Sequence, residues 1–206
     1  MRSRVQTLAV GHEDPYPVRR ELAGDVVSGT TSPSATHQAV GVATHAALGE
    51  LAELRDELTG PGRTRLVLRV AARHARATAA STGCRVGAQH VAPMCSVAVA
   101  MFPPRDWVFC GAEVPAGDGV ADLVWRSSQG EMLIDEVKVT GLARVLEDSR
   151  TRAQIDRYRA WGRSEFGDLF VGVRLLALAG PMRSRWYPPT GPSRRLVDTE
   201  RWSFEW

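Results

Sequence analysis

Asparagine is absent from this chain, isoleucine occurs only at positions 134 and 155, and lysine occurs once, at position 138, against twenty-five arginines. A G+C-rich coding bias accounts for such a profile, so arginine stands here for ordinary cations of every kind. The one retained lysine therefore invites a chemical reading. Arginine is a planar fork that does not usefully lose its proton, whereas lysine is a compact point charge whose pKa moves readily when buried. Cysteine is scarce too. Cys84, Cys95 and Cys110 are odd in number and widely spaced, which excludes a disulfide framework and a zinc-ribbon pattern and fits reduced thiols in a cytoplasmic protein. No run approaches the roughly 20 apolar residues that cross a bilayer. The start, MRSRVQTLAVGHEDPYP, is basic but has too short an apolar patch for a secretory signal. With 206 residues, 44% of them hydrophobic, the chain suffices for one domain with a sizeable core rather than two.

Lys138 lies two residues after Glu136 in the apolar run MLIDEVKVT, and Asp122 lies fourteen residues before Glu136 in GDGVADLVW. Between the runs is RSSQGE, polar and containing a glycine. VADLVW and MLIDEVKVT are rich in β-branched and aromatic residues and bounded by turn chemistry, so they predict a β-hairpin. Period-two alternation puts Glu136 and Lys138 on one face of their strand, and a twisted hairpin brings Asp122 to them. Charges amid Leu, Ile and Val are costly unless paired or bound to metal. Asp122 and Glu136 are suitable hard-oxygen ligands for Mg²⁺ or Mn²⁺, and the backbone carbonyl of Val137 adds a third. The plainer alternative is a cross-strand salt bridge on a half-exposed sheet. Asp118 competes with Asp122 but sits in a GDG turn, where aspartate is ordinary; Asp135 competes with Glu136 but projects to the other face from Lys138.

Asp followed by Glu-x-Lys on adjacent strands resembles the PD-(D/E)xK nuclease superfamily. GVADLVW with LIDEVK, and RAQIDRYRAWG with Gln154 and Tyr158, resemble its RecB-like branch and that branch's QxxxY helix motif. The resemblance covers roughly residues 38–180. His45, in GVATHAALGELAEL, resembles the histidine that adds a metal ligand in many of these enzymes; Glu113, in FCGAEVP, resembles the acidic residue often found on the first core strand. The resemblance implies an α/β fold with a restriction-endonuclease-like αβββαβ core, a mixed central sheet flanked by helices and, here, extra N-terminal helices. It implies a metal-dependent nuclease acting on phosphodiester bonds of DNA, with Asp122, Glu136, Lys138, Gln154 and Tyr158 catalytic and Mg²⁺ or Mn²⁺ held by Asp122, Glu136, the Val137 carbonyl and His45. Some RecB-like nucleases hold an iron–sulfur cluster through cysteines near the C-terminus. No cysteine follows Cys110, so no iron–sulfur cluster is expected. The alternatives are a catalytically silent DNA-binding or partner-docking module, and a restriction-type endonuclease.

Segment 1–36, with Pro15, Pro17, Pro33 and SGTTSPSAT, predicts a partly ordered arm; 37–182 the nuclease domain; and 183–206 a tail rich in Pro and Trp, packed on that domain. HQAVGVATHAALGELAELRDELTG predicts a helix ending near Gly60, and TRLVLRVAARHARATAASTG a second with arginines on its outer face. CSVAVAMF and DWVFCGAEV are strand candidates, although apolar runs this short also fit a buried helix. SRTRAQIDRYRAWG predicts a helix capped by Ser149, and DLFVGVRLLALAG a buried strand. A net charge of +3 is a mild sign of a polyanionic partner. Arg150, Arg152, Arg157 and Arg159, on the QxxxY helix, are placed to contact a nucleic-acid backbone without reading its sequence, the plainer reading being a solvated helix face. Trp186, Trp202 and Trp206 either stack on unpaired bases or pin the tail. DNA is the expected partner, with a helicase or integrase as a further candidate and no membrane.

Overall fold

The computed structural model describes residues 33–180 and 184–195. Three helices come first: α1 (Pro33–Glu53), α2 (Gly62–Thr82) and α3 (Ala88–Ala100). In α1 the buried residues Ala39, Ala43, Ala47, Leu48 and Leu51 recur at helical spacing and form one face toward the core. The helix ends at Glu53 and a short 3-10 turn, Arg55–Glu57, follows, so it stops earlier than the expected Gly60. It also begins at Pro33, inside the segment expected to be an arm; the rest of that segment, residues 1–32, lies outside the described residues. α2 buries Leu66, Val67, Val70, Ala71, Ala75 and Thr78. Its C-terminus is closed by Gly83, whose φ of 69° is the left-handed conformation that glycine adopts without a Cβ clash.

Of the two structures that the run CSVAVAMF fits, strand first and buried helix second, it takes the helix, its first six residues completing α3. Its buried positions Val91, Ala92, Cys95, Ala98 and Val99 fall at i, i+1, i+4, i+7 and i+8, the stripe of a helix packed under α1 and α2. Alanine and valine fit either structure locally, and burial against two helices decides.

The sheet follows as β1 (Trp107–Ala116), β2 (Gly119–Ser127), β3 (Met132–Gly141), β4 (Phe170–Ala179), β5 (Ser184–Tyr187) and β6 (Arg194–Arg195), in that spatial order. All neighbouring strands are antiparallel except β3 and β4, which are parallel. Their connection carries α4 (Leu142–Glu147) and α5 (Ser149–Phe166), as a parallel pair requires a crossover. The expected αβββαβ order is thus present, in a mixed sheet with helices on both faces. One face, with Leu123, Trp125, Leu133, Val137 and Leu176, packs under α1–α3. The other, with Val124, Ile134, Val173 and Leu175, packs under α4 and α5 around Ile155 and Tyr158. Each fully buried Leu or Ile contributes about 1.5–3 kcal/mol.

The cap of α5 is Asp148 rather than the expected Ser149: its carboxylate accepts the backbone N–H groups of Arg150 and Thr151 and the Thr151 hydroxyl. Part of the expected tail extends the sheet as β5 and β6. Trp186 on β5 is buried and donates its indole N–H to the Val171 carbonyl at 3.0 Å. Gly172, with φ 127°, admits this strand, since a Cβ there would lie 2.7 Å from the Trp186 indole nitrogen. Trp202 and Trp206 lie outside the described residues. No helix among the described residues is long and apolar enough to cross a membrane.

Candidate active site

β2 and β3 pair from Arg126 opposite Met132 to Leu123 opposite Asp135, and there their ladder stops while both strands continue. Beyond that point β3 is held by β4 on its other side. The Asp122 side chain fills the parting, its Oδ2 accepting the Val137 backbone N–H at 2.6 Å. His45 reaches the same place from α1. Its Nδ1 is 3.3 Å from Asp122 Oδ1 and its Nε2 is 3.1 Å from the Val137 carbonyl oxygen. Both ring nitrogens thus face acceptors, a geometry that only the doubly protonated imidazolium satisfies. Burial opposes that charge, but the charge and hydrogen bond of Asp122, then Glu136, outweigh burial and the repulsion of Lys138, so the His45 pKa is raised.

Glu136 and Lys138 leave β3 toward α5, on the face opposite Asp135. Glu136 is 1% exposed, and Lys138 Nζ lies 2.5 Å from its Oε1 as an ion pair. Beyond that ion pair, neither Glu136 carboxylate oxygen has a hydrogen-bond partner among the described residues. Burial, then the neighbouring Asp122 charge, push the Glu136 carboxyl up to about 8, against the pull of Lys138 and His45. Lys138 donates in addition to Gln154 Oε1 at 3.2 Å. Gln154 Nε2 donates to the Tyr158 hydroxyl at 2.7 Å, and that hydroxyl donates to the Val120 carbonyl on β2. The i, i+4 pair on α5 therefore bridges β3 to β2 beyond the end of their ladder. Burial, with the Glu136 charge next, raises the Tyr158 pKa to about 12, so its hydroxyl remains a donor.

Asp135 takes no part in this. It faces α1–α3, where Arg174 of β4 grips it with Nε at 2.7 Å from Oδ1 and Nη2 at 2.6 Å from Oδ2. Trp125 donates to Oδ2 at 2.8 Å, and Arg174 Nη1 reaches the Met101 carbonyl. Asp118 is exposed in its turn and pairs with Arg157 at 3.2 Å. Glu113 stands opposite Asp122 between paired neighbours, with φ of 50°, but is exposed and is not among the charges that shift His45 or Glu136. The arginines of α5 divide. Arg150 and Arg152 are exposed. Arg159, expected to face nucleic acid, is instead tied to the carbonyls of Pro188 and Gly191, and Arg163 to that of Pro189. Sequence reading missed those ties because their acceptors are backbone groups some thirty positions away.

The donor set can be tested against a divalent metal. Glu136 fits, since a buried carboxylate with unsatisfied oxygens beside a second carboxylate is costly without a cation. Asp122 fits in part: its Oδ2 accepts the Val137 N–H and its Oδ1 faces His45, but each carboxylate oxygen keeps a further lone pair, as does the Val137 carbonyl. His45 does not fit as a ligand, because both its nitrogens are engaged. Among the described residues no group of three His, Cys, Asp or Glu side chains stands ready to hold a metal, so the two carboxylates would rely on a backbone carbonyl and water.

No family model matches the chain, and no curated protein matches it. Among solved structures it is similar over a short stretch to a complex of EndoMS with double-stranded DNA, at 22% identity and a TM-score of 0.30, covering 36% of this chain and 28% of that one. It is similar in the same measure to a repair endonuclease from Pyrococcus abyssi, at 22% identity and a TM-score of 0.29, covering 35% of this chain and 30% of that one. The chain therefore spans less than a third of either protein.

Proposed function

We propose that this chain is a metal-dependent nuclease that hydrolyses phosphodiester bonds of DNA, of the RecB-like kind within the PD-(D/E)xK superfamily. The observation that supports it above others is the Glu136 carboxylate, buried and without a hydrogen bond between Asp122 and the chain's one lysine. In this reading Asp122 and Glu136, with the Val137 carbonyl, hold Mg²⁺ or Mn²⁺. When bound, the ion supplies Lewis acidity, lowering the pKa of a water and offsetting charge on the phosphoryl group. Lys138, its side chain 28% exposed, orients the attacking water and stabilises the phosphorane oxygens. Gln154 fixes Lys138, and Tyr158 fixes Gln154, so both position the ammonium without touching the scissile bond. His45 holds the Asp122 carboxylate at the parting of the strands and adds a positive charge there.

A catalytically silent DNA-binding module has one observation in its favour: the absence of a ready three-ligand cluster among the described residues. Cleavage of end-labelled linear and circular DNA, single- and double-stranded, with Mg²⁺, Mn²⁺ or EDTA separates the two. Metal-dependent cutting that Glu136→Gln abolishes supports the nuclease. Binding that is indifferent to EDTA, with no cutting by the wild type, gives the silent module.

A further inference from the structure

The arginines of α5 and those of α2 differ in what they already hold. On α5, Arg150 and Arg152 are exposed at its start, but Arg157 is paired with Asp118, while Arg159 and Arg163 are tied to backbone carbonyls. α2 carries Arg63, Arg65, Arg69, Arg73 and Arg76 and not one acidic residue over its 21 positions. Arg73 and His74 both meet Glu50 of α1. Arg65, Arg69 and Arg76 are exposed and have no acidic partner among the described residues. They recur at i, i+4 and i+11, on one side of the helix opposite the buried Leu66, Val67, Val70 and Ala71. At about 1.5 Å of rise per residue the stripe runs for about 16 Å. It is one helix removed from the candidate site, because Glu50 lies on the same α1 that carries His45, about 7 Å further along its axis.

We propose that the outer face of α2 is a second nucleic-acid contact, in which Arg65, Arg69 and Arg76 bind successive phosphates of the DNA backbone. This deepens the nuclease reading, and rests on it for the choice of polyanion. An extended row of free guanidinium groups matches a row of phosphates, and such contacts hold a duplex without reading its sequence. An anionic lipid surface fits less well. A surface-bound amphipathic helix needs an apolar face toward the membrane, and that face of α2 is buried under α1 and α3, with only Leu68 of its large apolar residues exposed.

The test is fluorescence anisotropy of the full chain on a labelled duplex in EDTA, over a series of salt concentrations, comparing wild type with Arg65→Gln/Arg69→Gln/Arg76→Gln. Glutamine is a good helix former, and circular dichroism with thermal melting checks that the fold is kept. The expected result is affinity lower by about ten-fold or more and a log Kd against log salt slope reduced by about two to three, because each phosphate contact on a duplex contributes about 0.9. An unchanged slope in a folded variant overturns the proposal, as does undetectable binding by the wild type at low salt. So does a wild type that binds phosphatidylserine vesicles through these arginines while the variant keeps its DNA affinity. The nuclease reading is scored separately by cleavage. A chain that never cuts but loses its salt slope in the variant keeps this inference and loses that reading, and a cutting enzyme with an unaltered slope does the reverse.

Discussion

On β3 the side chains of Asp135 and Glu136 leave the sheet in opposite directions, both essentially without solvent exposure. Asp135 meets a bidentate guanidinium and an indole N–H. Glu136 meets one ammonium and, among the described residues, no further donor. Two neighbouring acids in one low-dielectric interior thus show two kinds of order. The Asp135 network is closed, and every charge in it has its complement. On the Glu136 side Lys138 and His45 match the two acids in number, yet the Glu136 oxygens carry no hydrogen bond among the described residues, so a fold that completes one such network has not completed the other. Burial of a carboxylate therefore does not mark a site; burial with unanswered oxygens does.

That contrast breaks most visibly on the closed side. Asp135→Ala leaves the Arg174 guanidinium buried without its counter-charge and lowers stability by about 3–5 kcal/mol, whereas replacing both partners by apolar residues, Asp135→Leu with Arg174→Met, restores only part of the loss, because the Trp125 N–H and the Met101 carbonyl lose their partners. Urea denaturation of the single and double variants measures both; a mild single variant means that water reaches Arg174. On the open side the loss falls on chemistry. Glu136→Gln, and Lys138→Arg, which keeps the charge but not the compact ammonium, each reduce cleavage by about a hundred- to a thousandfold, about 3–4 kcal/mol of barrier, with the far-ultraviolet dichroism unchanged. An active Lys138→Arg enzyme removes the chemical argument for the lone lysine.

Stability should move the other way at Glu136. Its carboxyl is raised from the ordinary range near 4.5 to about 8, so the folded state binds that proton more tightly than the unfolded chain does. The associated stability is present below about pH 4.5 and is lost as pH climbs through about 8. His45, raised as well, adds a loss of the same sign. In EDTA the melting temperature falls between about pH 5 and pH 8, and Glu136→Gln flattens that fall and stabilises the protein at the upper end by about 1–3 kcal/mol. Divalent metal does the same for the wild type. A Glu136→Gln protein that is less stable than wild type at pH 8 in EDTA contradicts the contrast between the two faces. Tyr158→Phe gives the smallest effect, about 1 kcal/mol for the lost bond to the Val120 carbonyl, with a several-fold drop in cleavage as Gln154 loses its support.

The hairpin around Lys138 was legible because alternation and turn residues agree there, and the two acids fell on opposite faces for the same reason. The helical character of CSVAVAMF was not, since small apolar residues satisfy both periods and only the packing of α1 and α2 over Cys95 and Ala98 selects one. Asp148 displaced Ser149 as the cap by a single position, within the ordinary uncertainty of a helix boundary. Arg159 was legible as a cation on α5 but not as a tie to Pro188, because nothing local encodes a contact with a loop beyond the next two strands. His45 was legible as a helix residue able to reach the site. The engagement of both its nitrogens depends on where β2 and β3 part, which no pattern in either strand announces.

That parting has a consequence for exchange with solvent deuterium. The Val137 amide is retained by a side-chain carboxylate rather than by a neighbouring strand, so its protection depends on where the Asp122 side chain sits instead of on the opening of the sheet. One amide in the middle of the molecule would then keep time with the site while its neighbours on β3 keep time with global unfolding.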